Sequence, residues 1–577
     1  MKQTCYAGID VGSASARVGI FNEKGERLAF AVRPIKQFHG RANFVEQSSS
    51  DIWQQICAAM KEAMATAGVS ADEIRSLGVD ATCSLVAVGQ GGSPVSVSEN
   101  GEADQDIIMW MDHRAAEETA TINATGDEAL KYVGGEVSIE MELPKILWLK
   151  NHYPDRYERT VRFFDLADYL VWRATGADVA STCTLTCKWN YLAHEGRFAE
   201  DMLQAVGLHD LPEKVPEKVL DLGASAGGLT EQAAKDLGVN AGTPVAAGII
   251  DAHAGGLALI GAEPDGGLAI ISGTSNCHMI VNEKPVMVPG VWGPYWGAML
   301  PGYWLGEGGQ SAAGSLVEWT IQQSDAYDEL KAEAAKQGLH ETALLNNWVQ
   351  DLEEREANPT RDLHVLSDHH GNRSPRANPH AKGVVSGLTL ETGRDALARL
   401  YLATLQAIAY GTRHIIEEMT KAGHSITKLF MCGGATKNPL WLREYANITG
   451  REIQLAEEED AVTLGAAILG AVACGDFKDI PSASAKLVRV GGLINQKATP
   501  LSSTPPNIRS TSIFTTTIST IRRSWKKQFK YQNKFRRTPR AQPASGPSAY
   551  LRSGQGNPCR HQCRSSRKCQ RHLLAHL

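Results

Sequence analysis

The feature that most constrains this chain is a hairpin of small residues that occurs twice. "CYAGIDVGSASARVGIF", residues 5–21, reads as two apolar strands joined by a Gly/Ser turn. "GGLAIISGTSNCHMIV", residues 266–281, reads the same way. After the first copy come the turn "NEKGE", the strand "RLAFAV", the helix "SSSDIWQQICAAMKEAMATAG" and the strands "IRSLGVDAT" and "LVAVG". In that helix Ser50 is placed to cap the N-terminus, and Trp53, Ile56, Met60 and Met64 mark one apolar face. The strand "PVAAGII" precedes the second copy. After it come the long helix "RDALARLYLATLQAIAYGTRHIIEEMTKAG", the strand–turn–helix "KLFMCGGATKNPLWLREYANITG" and the Ala-rich helix "DAVTLGAAILGAVACG", which can pack closely. Strands alternating with helices specify an α/β plan. Two copies of the plan specify two domains facing each other across a cleft, and 577 residues are too many for one core.

Composition and charge narrow the class. With 43% apolar and 21% charged residues, the chain is of the soluble globular type. No run approaches the roughly 18 apolar residues of a membrane span, and the N-terminus enters a strand without the layout of a signal peptide. Cysteines such as Cys57, Cys83 and Cys432 sit among apolar or small residues, which predicts reduced, buried thiols and a cytoplasmic location. The net charge of −6 hides a split. None of the 64 Asp and Glu and 19 of the 58 Lys and Arg lie beyond residue 479, which leaves residues 1–479 at −25. An acidic body argues against nucleic acid as its main ligand.

Four stretches can carry chemistry. In "GIDVGSASAR" the turn of Gly12, Ser13 and Ser15 lets backbone N–H groups and hydroxyls approach an anion. Arg17 adds a fixed positive charge suited to a phosphoryl group, and Asp10 is placed to hold a hydrated Mg²⁺. "ISGTSN", with Gly273, Thr274 and Ser275, is a second such turn. Either turn alone reads equally as an ordinary hairpin; one in each half fits a phosphate chain clamped from both sides. "MCGGATKNP" ends a strand in Gly433 and Gly434 before a helix, a flat turn that admits a base or ribose. No Walker A loop is present. Finally, "AGIIDAHAG" ends an apolar run in Asp251. A carboxylate there can take the proton of an attacking hydroxyl or help to orient a metal; the competing reading is a cap at a strand–helix junction.

In order along the chain, "GIDVGSASAR", "GVDATCS", "WMDHRA", "EMELPKILWLK", "FFDLADYLVWRATG", "AGIIDAHAGG", "ISGTSN", "GEGGQSAAGSLVEW", "GNRSP", "KGVVSGLTL", "CGGATKNPLWLREYANITGREI" and "EEEDAVTLGAAILGA" together resemble the FGGY carbohydrate kinases. The resemblance spans roughly residues 5–495, and the wording "GVDAT", "CKW" and "IIDAHAG" is closest to the pentulose-kinase branch, near ribulokinases. It implies two actin/hexokinase-like (ribonuclease H-like) α/β domains. These would be a sugar-binding domain at 1–243 and an ATP-binding domain at 244–495, followed by a tail at 496–577. It implies ATP and Mg²⁺ as cofactors, a small sugar as substrate and a homodimer. By matched position, Asp251 is the catalytic base, and Asp10 and Asp251 lie at the metal. Gly12, Ser13, Ser15, Arg17, Gly273, Thr274 and Ser275 hold phosphate, and Gly433, Gly434 and Asn438 hold adenosine. Trp110, Asp112 and Arg114 form the sugar-side "WxDxR" element, and Cys83, Lys188 and Glu307 fall where ribulokinase-like enzymes contact the pentulose. The implied reaction is ATP-dependent phosphorylation of a pentulose, with the C5 hydroxyl of D-ribulose as first choice and L-ribulose or ribitol next. A sugar-binding pseudokinase and an Hsp70- or actin-like ATPase are the competing classes.

The chain departs from that family after "RVGG", where an acid-free, basic, Ser/Thr/Arg/Pro-rich segment replaces the usual helical end. A slipped reading frame near residues 495–500 is the preferred explanation, with disorder expected; a native basic tail for nucleic acid or an anionic surface is the other. The tail spacing Cys559, Cys563, Cys569 is a weak zinc signal.

Overall fold

In this computed structural model residues 3–495 are described. The tail and its cysteines lie outside the described residues. Among the described residues no helix is long and apolar enough to cross a membrane.

Two seven-stranded sheets organise the chain. The first runs Arg27–Pro34, Ser15–Asn22, Cys5–Val11, Ile74–Ala81, Pro244–Ala246, Ser225–Gly228, with Ile249–Ile250 also on Ile74–Ala81. The second runs Trp292–Trp296, Trp304–Gln310, Asn276–Asn282, Gly267–Ser272, Lys428–Gly433, Ile453–Ala456, Val490–Ile494. In each sheet an antiparallel run, of three strands in the first and four in the second, meets two parallel strands and then an antiparallel edge. The duplication read from the hairpins is thus a duplication of topology. Every residue of Cys5–Val11 is buried, because helices cover both faces of the parallel part.

Two helices lock the sheets together. Asp251–Ile260 packs against Gly267–Ser272 of the second sheet: a Cβ on Gly255 would lie 3.1 Å from the Ile271 side chain. Ala461–Ala473, near the end of the described chain, returns to the first sheet. There a Cβ on Gly78 would lie 1.7 Å from Ala466 O, and one on Gly465 would lie 2.0 Å from Ala254 O. The expected close packing of this Ala-rich helix is therefore backbone against backbone, which a methyl group would break.

Two expectations need correction. The boundary expected at 243/244 falls inside the first sheet, because Val245 pairs with Leu77 and Ile249 with Asp80. Strand pairing therefore groups 244–250 with the N-terminal half; short strands do not announce their partners in sequence. The cap of the helix Ser49–Ala67 is Ser48, not Ser50: its hydroxyl accepts a hydrogen bond from the Asp51 N–H, and its backbone is extended. Trp53, Ile56, Met60 and Met64 face the core as read.

Candidate active site

Asp10 and Arg17 are direct partners across the first hairpin, and Arg17 Nη1 donates to Asp10 Oδ2 at 2.7 Å. The turn is closed by Gly12 N–H to Ser15 O at 3.0 Å, and Arg17 Nε donates to Ser15 Oγ at 3.2 Å. On its other side Asp10 stands beside Asp80, its partner on the parallel strand. Asp10 Oδ1 and both oxygens of Asp80 are buried without a donor. Burial drives both acids up from the ordinary carboxylate range, and their proximity lets them share a proton. Asp460, which caps the returning helix by accepting from Thr463 N–H at 3.2 Å, adds its negative field.

Asp251 begins the helix that follows Ile249–Ile250, so it stands at the end of the same sheet edge as Asp80. The cap position is Ile250, and Asp251 Oδ1 instead accepts from the next N–H, of Ala252, at 2.7 Å. Burial raises the Asp251 carboxyl, while the Ala252 N–H, Arg17 and Lys188 hold the rise back. The carboxylate thus feels the charges of Arg17, Lys188 and Glu307 together.

The second hairpin is neutral. Gly273 N–H closes the turn on Ser275 O at 2.9 Å, and Thr274 O accepts from Ala313 N–H at 3.0 Å and Ser315 N–H at 3.2 Å. Below it Ser272 Oγ donates to Asn276 Oδ1 at 2.7 Å, and Asn276 Nδ2 donates to Tyr445 OH at 2.7 Å and to Gln310 Oε1 at 3.0 Å. Gly273 and Thr274 are exposed. Gly433, at φ +91°, presses on Ser272 O, so the Gly turn and the second hairpin touch. Asn438 is buried and spends its side chain on the fold. Its Oδ1 caps Trp441 N–H at 3.2 Å, and its Nδ2 donates to Tyr401 OH at 2.6 Å.

The sugar-side residues divide. Lys188 is buried, 3.9 Å from Glu307 Oε2, with its ammonium 4.6 Å from the centre of the Trp292 ring. Burial opposes the Lys188 charge, but Glu307 and its neighbours outweigh that and hold it protonated. Glu307 Oε2 accepts no hydrogen bond. Cys83 is buried nearby; burial pushes its thiol up, against the field of Lys188. Trp110 joins this side to the phosphate side, donating Nε1–H to Ser13 Oγ at 2.9 Å. Asp112 and Arg114, by contrast, face inward. Arg114 donates to both Asp112 oxygens, at 2.9 and 2.7 Å, to Glu46 Oε1 at 2.7 Å and to Val97 O at 3.1 Å, and its guanidinium lies 4.1 Å from the Phe44 ring. Asp112 Oδ2 also takes Val45 N–H at 2.6 Å. Both side chains are sealed from solvent. Their expected place on the sugar is therefore corrected: a pair fully occupied with protein partners sets the Trp110 turn.

Sequence reading missed Asp80, Asp460, His253, Trp292 and the ion pair of Arg373 with Glu140, whose closest contact is 3.2 Å. Asp80, Asp460, His253, Glu140 and Arg373 all sit inside quoted motifs, so the signal was present and no role was drawn from it.

The residues fit a divalent cation. Buried carboxylate oxygens without donors, on Asp10 and Asp80, are what a hard cation would satisfy. The exposed, small-residue hairpins fit a polyphosphate.

Duplicated α/β halves, with acids gathered at one small-residue hairpin and a neutral hairpin in the other, have the architecture of a sugar kinase. The chain belongs to the FGGY family of carbohydrate kinases: residues 5–258 match its N-terminal domain and residues 268–474 its C-terminal domain. It is an ATP-dependent sugar phosphotransferase by family. It is 45% identical over 511 residues to the human FGGY carbohydrate kinase domain-containing protein, covering 85% of this chain and 92% of that one. It is 37% identical over 515 residues to a D-ribulokinase of Saccharomyces cerevisiae, covering 82% and 72%. Among solved structures, xylulose kinase from Rhodospirillum rubrum has the same fold, at TM-score 0.74 and 23% identity over 90% of this chain and 99% of that one. Glycerol kinase from Plasmodium falciparum follows at TM-score 0.71 and 18% identity, over 90% and 98%.

Proposed function

We propose that this protein phosphorylates a pentulose, D-ribulose first, at its C5 hydroxyl. What supports the reading is the buried Asp251 carboxylate, which feels the charges of both Arg17 in the phosphate-type hairpin and the buried Lys188–Glu307 pair. The D-ribulokinase relative supports the choice of sugar. Lys188 and Glu307 offer a donor and an acceptor to sugar hydroxyls that lose water on binding; Cys83 sets the volume beside them. Asp251 accepts the proton of the attacking hydroxyl, and its raised affinity for a proton suits it to that work near neutral pH. Arg17 and the hairpin backbones hold the phosphate chain, with Gly433 and Gly434 lining the adenosine. Asp10 holds Mg²⁺ together with Asp251, and the cation neutralises phosphate charge when bound. The domains divide between the helix Asp251–Ile260 and the strand Gly267–Ser272, and the protein works in the cytoplasm as a homodimer.

The test is ADP release with Mg·ATP against D-ribulose, L-ribulose, D-xylulose, ribitol and glycerol, for the full chain and for Asp251→Ala. The expected result is release that depends on a pentulose and falls by about 10²–10⁴-fold in the variant. Pentulose binding without turnover would assign a pseudokinase, and sugar-independent hydrolysis a plain ATPase.

A further inference from the structure

Behind the sugar-side pair lies a group of side chains that the kinase reading does not use. Cys183 and Cys187 are four residues apart on the helix Thr182–Lys188 and so share one face. His253 reaches them from the helix Asp251–Ile260. The ligand atoms of Cys183, Cys187 and His253 all lie within 4.8 Å of one another, and all three residues are fully buried. His253 Nε2 is 3.5 Å from Cys187 Sγ and 3.5 Å from Glu307 Oε2. His253 Nδ1 and Glu307 Oε2 have no hydrogen-bond partner.

The three ligand atoms of Cys183, Cys187 and His253 form one face of a small site, and Glu307 Oε2 approaches it from the His253 side. Zn–S bonds of about 2.3 Å and Zn–N bonds of about 2.0–2.1 Å place S and N about 3.6 Å apart around one ion. The observed S–N edge of 3.5 Å needs little movement to reach that. Two thiolates and one carboxylate around a dication leave a single negative charge, and Lys188 stands beside it to balance that charge. Each thiol gives up its proton to solvent as it ligates.

We propose that Cys183, Cys187 and His253 form a binding site for a soft divalent cation, Zn²⁺ by the donor set, and that Glu307, 3.5 Å from His253 Nε2, turns from the sugar to complete it when it is filled. The effect on activity rests on the sugar-side role of Glu307; the binding itself does not. Two sulfurs and an imidazole discriminate against Mg²⁺, so the site is separate from the carboxylates at Asp10 and Asp80.

The test is titration of the reduced, full-length chain with Co²⁺, then displacement by Zn²⁺, in the wild type and in the double variant Cys183→Ala/Cys187→Ala. The expected wild-type spectrum has a thiolate-to-cobalt charge-transfer band and the visible bands of tetrahedral Co²⁺. The double variant loses one equivalent of that signal. Loss of a group that only hydrogen-bonds a metal ligand costs about 10–100-fold in affinity, so loss of two ligands weakens Zn²⁺ by at least about 100-fold. ADP release by the wild type falls as Zn²⁺ loads and returns with a chelator; the double variant resists the same Zn²⁺ concentration. No thiolate–cobalt band in the wild type overturns the proposal without reference to any variant. A band of equal size in a folded double variant also overturns it, by placing the metal elsewhere. A band that disappears in the variant while wild-type turnover ignores Zn²⁺ overturns the link to Glu307 and keeps the site. An inactive wild type that still shows the band separates failure of the kinase reading from failure of this one.

Discussion

The two hairpins have the same topology and opposite electrostatics. Around Asp10–Arg17 the protein has gathered Asp80, Asp251 and Asp460, and both oxygens of Asp80 and one of Asp10 find no donor in the fold. Around Ser272–Asn276 every named partner is neutral, and Asn276, Gln310, Tyr445 and Ser272 satisfy one another. One copy of the design gathers buried acids around a single arginine. The other provides a rigid edge on which a turn can be displayed. The two halves share a frame, and a few side chains give them opposite electrostatics.

Four changes sharpen or break this contrast. The largest effect belongs to the charges of the first half that are paired. Asp112→Ala leaves Arg114 buried without its carboxylate and costs about 3–5 kcal/mol of stability. Denaturant unfolding reads the loss, and the KM for sugar stays unchanged in whatever fraction folds. A selective rise in sugar KM with unaltered stability would instead return Asp112 to the sugar.

The hairpins themselves come next. Arg17→Gln removes a charged donor worth about 1.5–3 kcal/mol, whereas Ser275→Ala removes a neutral one worth about 0.5–1.5 kcal/mol. The kcat/KM for ATP therefore falls by roughly ten- to a hundredfold in the first and by a few-fold in the second. Equal losses would mean that the two turns share the phosphates evenly and that the contrast is only structural.

The glycines test the same turns through the backbone. A Cβ on Gly433 would stand 2.3 Å from Ser272 O at a positive φ, so Gly433→Ala costs about 1–2 kcal/mol from conformation alone, plus the clash. A Cβ on Gly273 meets nothing nearer than Ser275 O at 4.0 Å, so Gly273→Ala leaves the melting temperature unchanged. Lost ATP affinity in a fully stable Gly273→Ala protein would show that the ligand itself approaches that backbone.

The smallest effect is in pH. Asp10 is raised to about 7, first by burial, and Asp80 is raised with it. The native state therefore holds protons that the unfolded chain releases near pH 4, and stability is fully present below that and declines as pH climbs through about 7. Melting temperature in a chelator falls by a few degrees between pH 5 and 8, Mg²⁺ restores it at the upper end, and Asp80→Asn flattens the slope. A melting temperature that rises over this range in the wild type would remove the charge cluster from the account.

Much of the site was legible because its residues travel in short local patterns. A strand that ends in Asp10, a turn of Gly and Ser and an Arg on the return strand are determined within ten residues, as are "ISGTSN", the Gly433–Gly434 turn and Asp251 at the end of an apolar run. Lys188 and Glu307, far apart in sequence, came only through resemblance, and they do meet. What stayed illegible depends on partners far away in the chain. Asp112 and Arg114 look like ligand-binding groups until Glu46, Val45 and Phe44 are seen to occupy them.

By itself the sequence determined a duplicated α/β chain with two small-residue hairpins, since periodicity and turn chemistry act over a few residues. Only the tertiary structure decided that 244–250 belongs to the first sheet, that Asp80 and Asp460 join Asp10, and that Cys183, Cys187 and His253 converge, with His253 also beside Glu307. These facts follow from strand register and helix packing between segments tens to hundreds of residues apart. Their energy comes from burial shared across the whole core, and no local pattern records it.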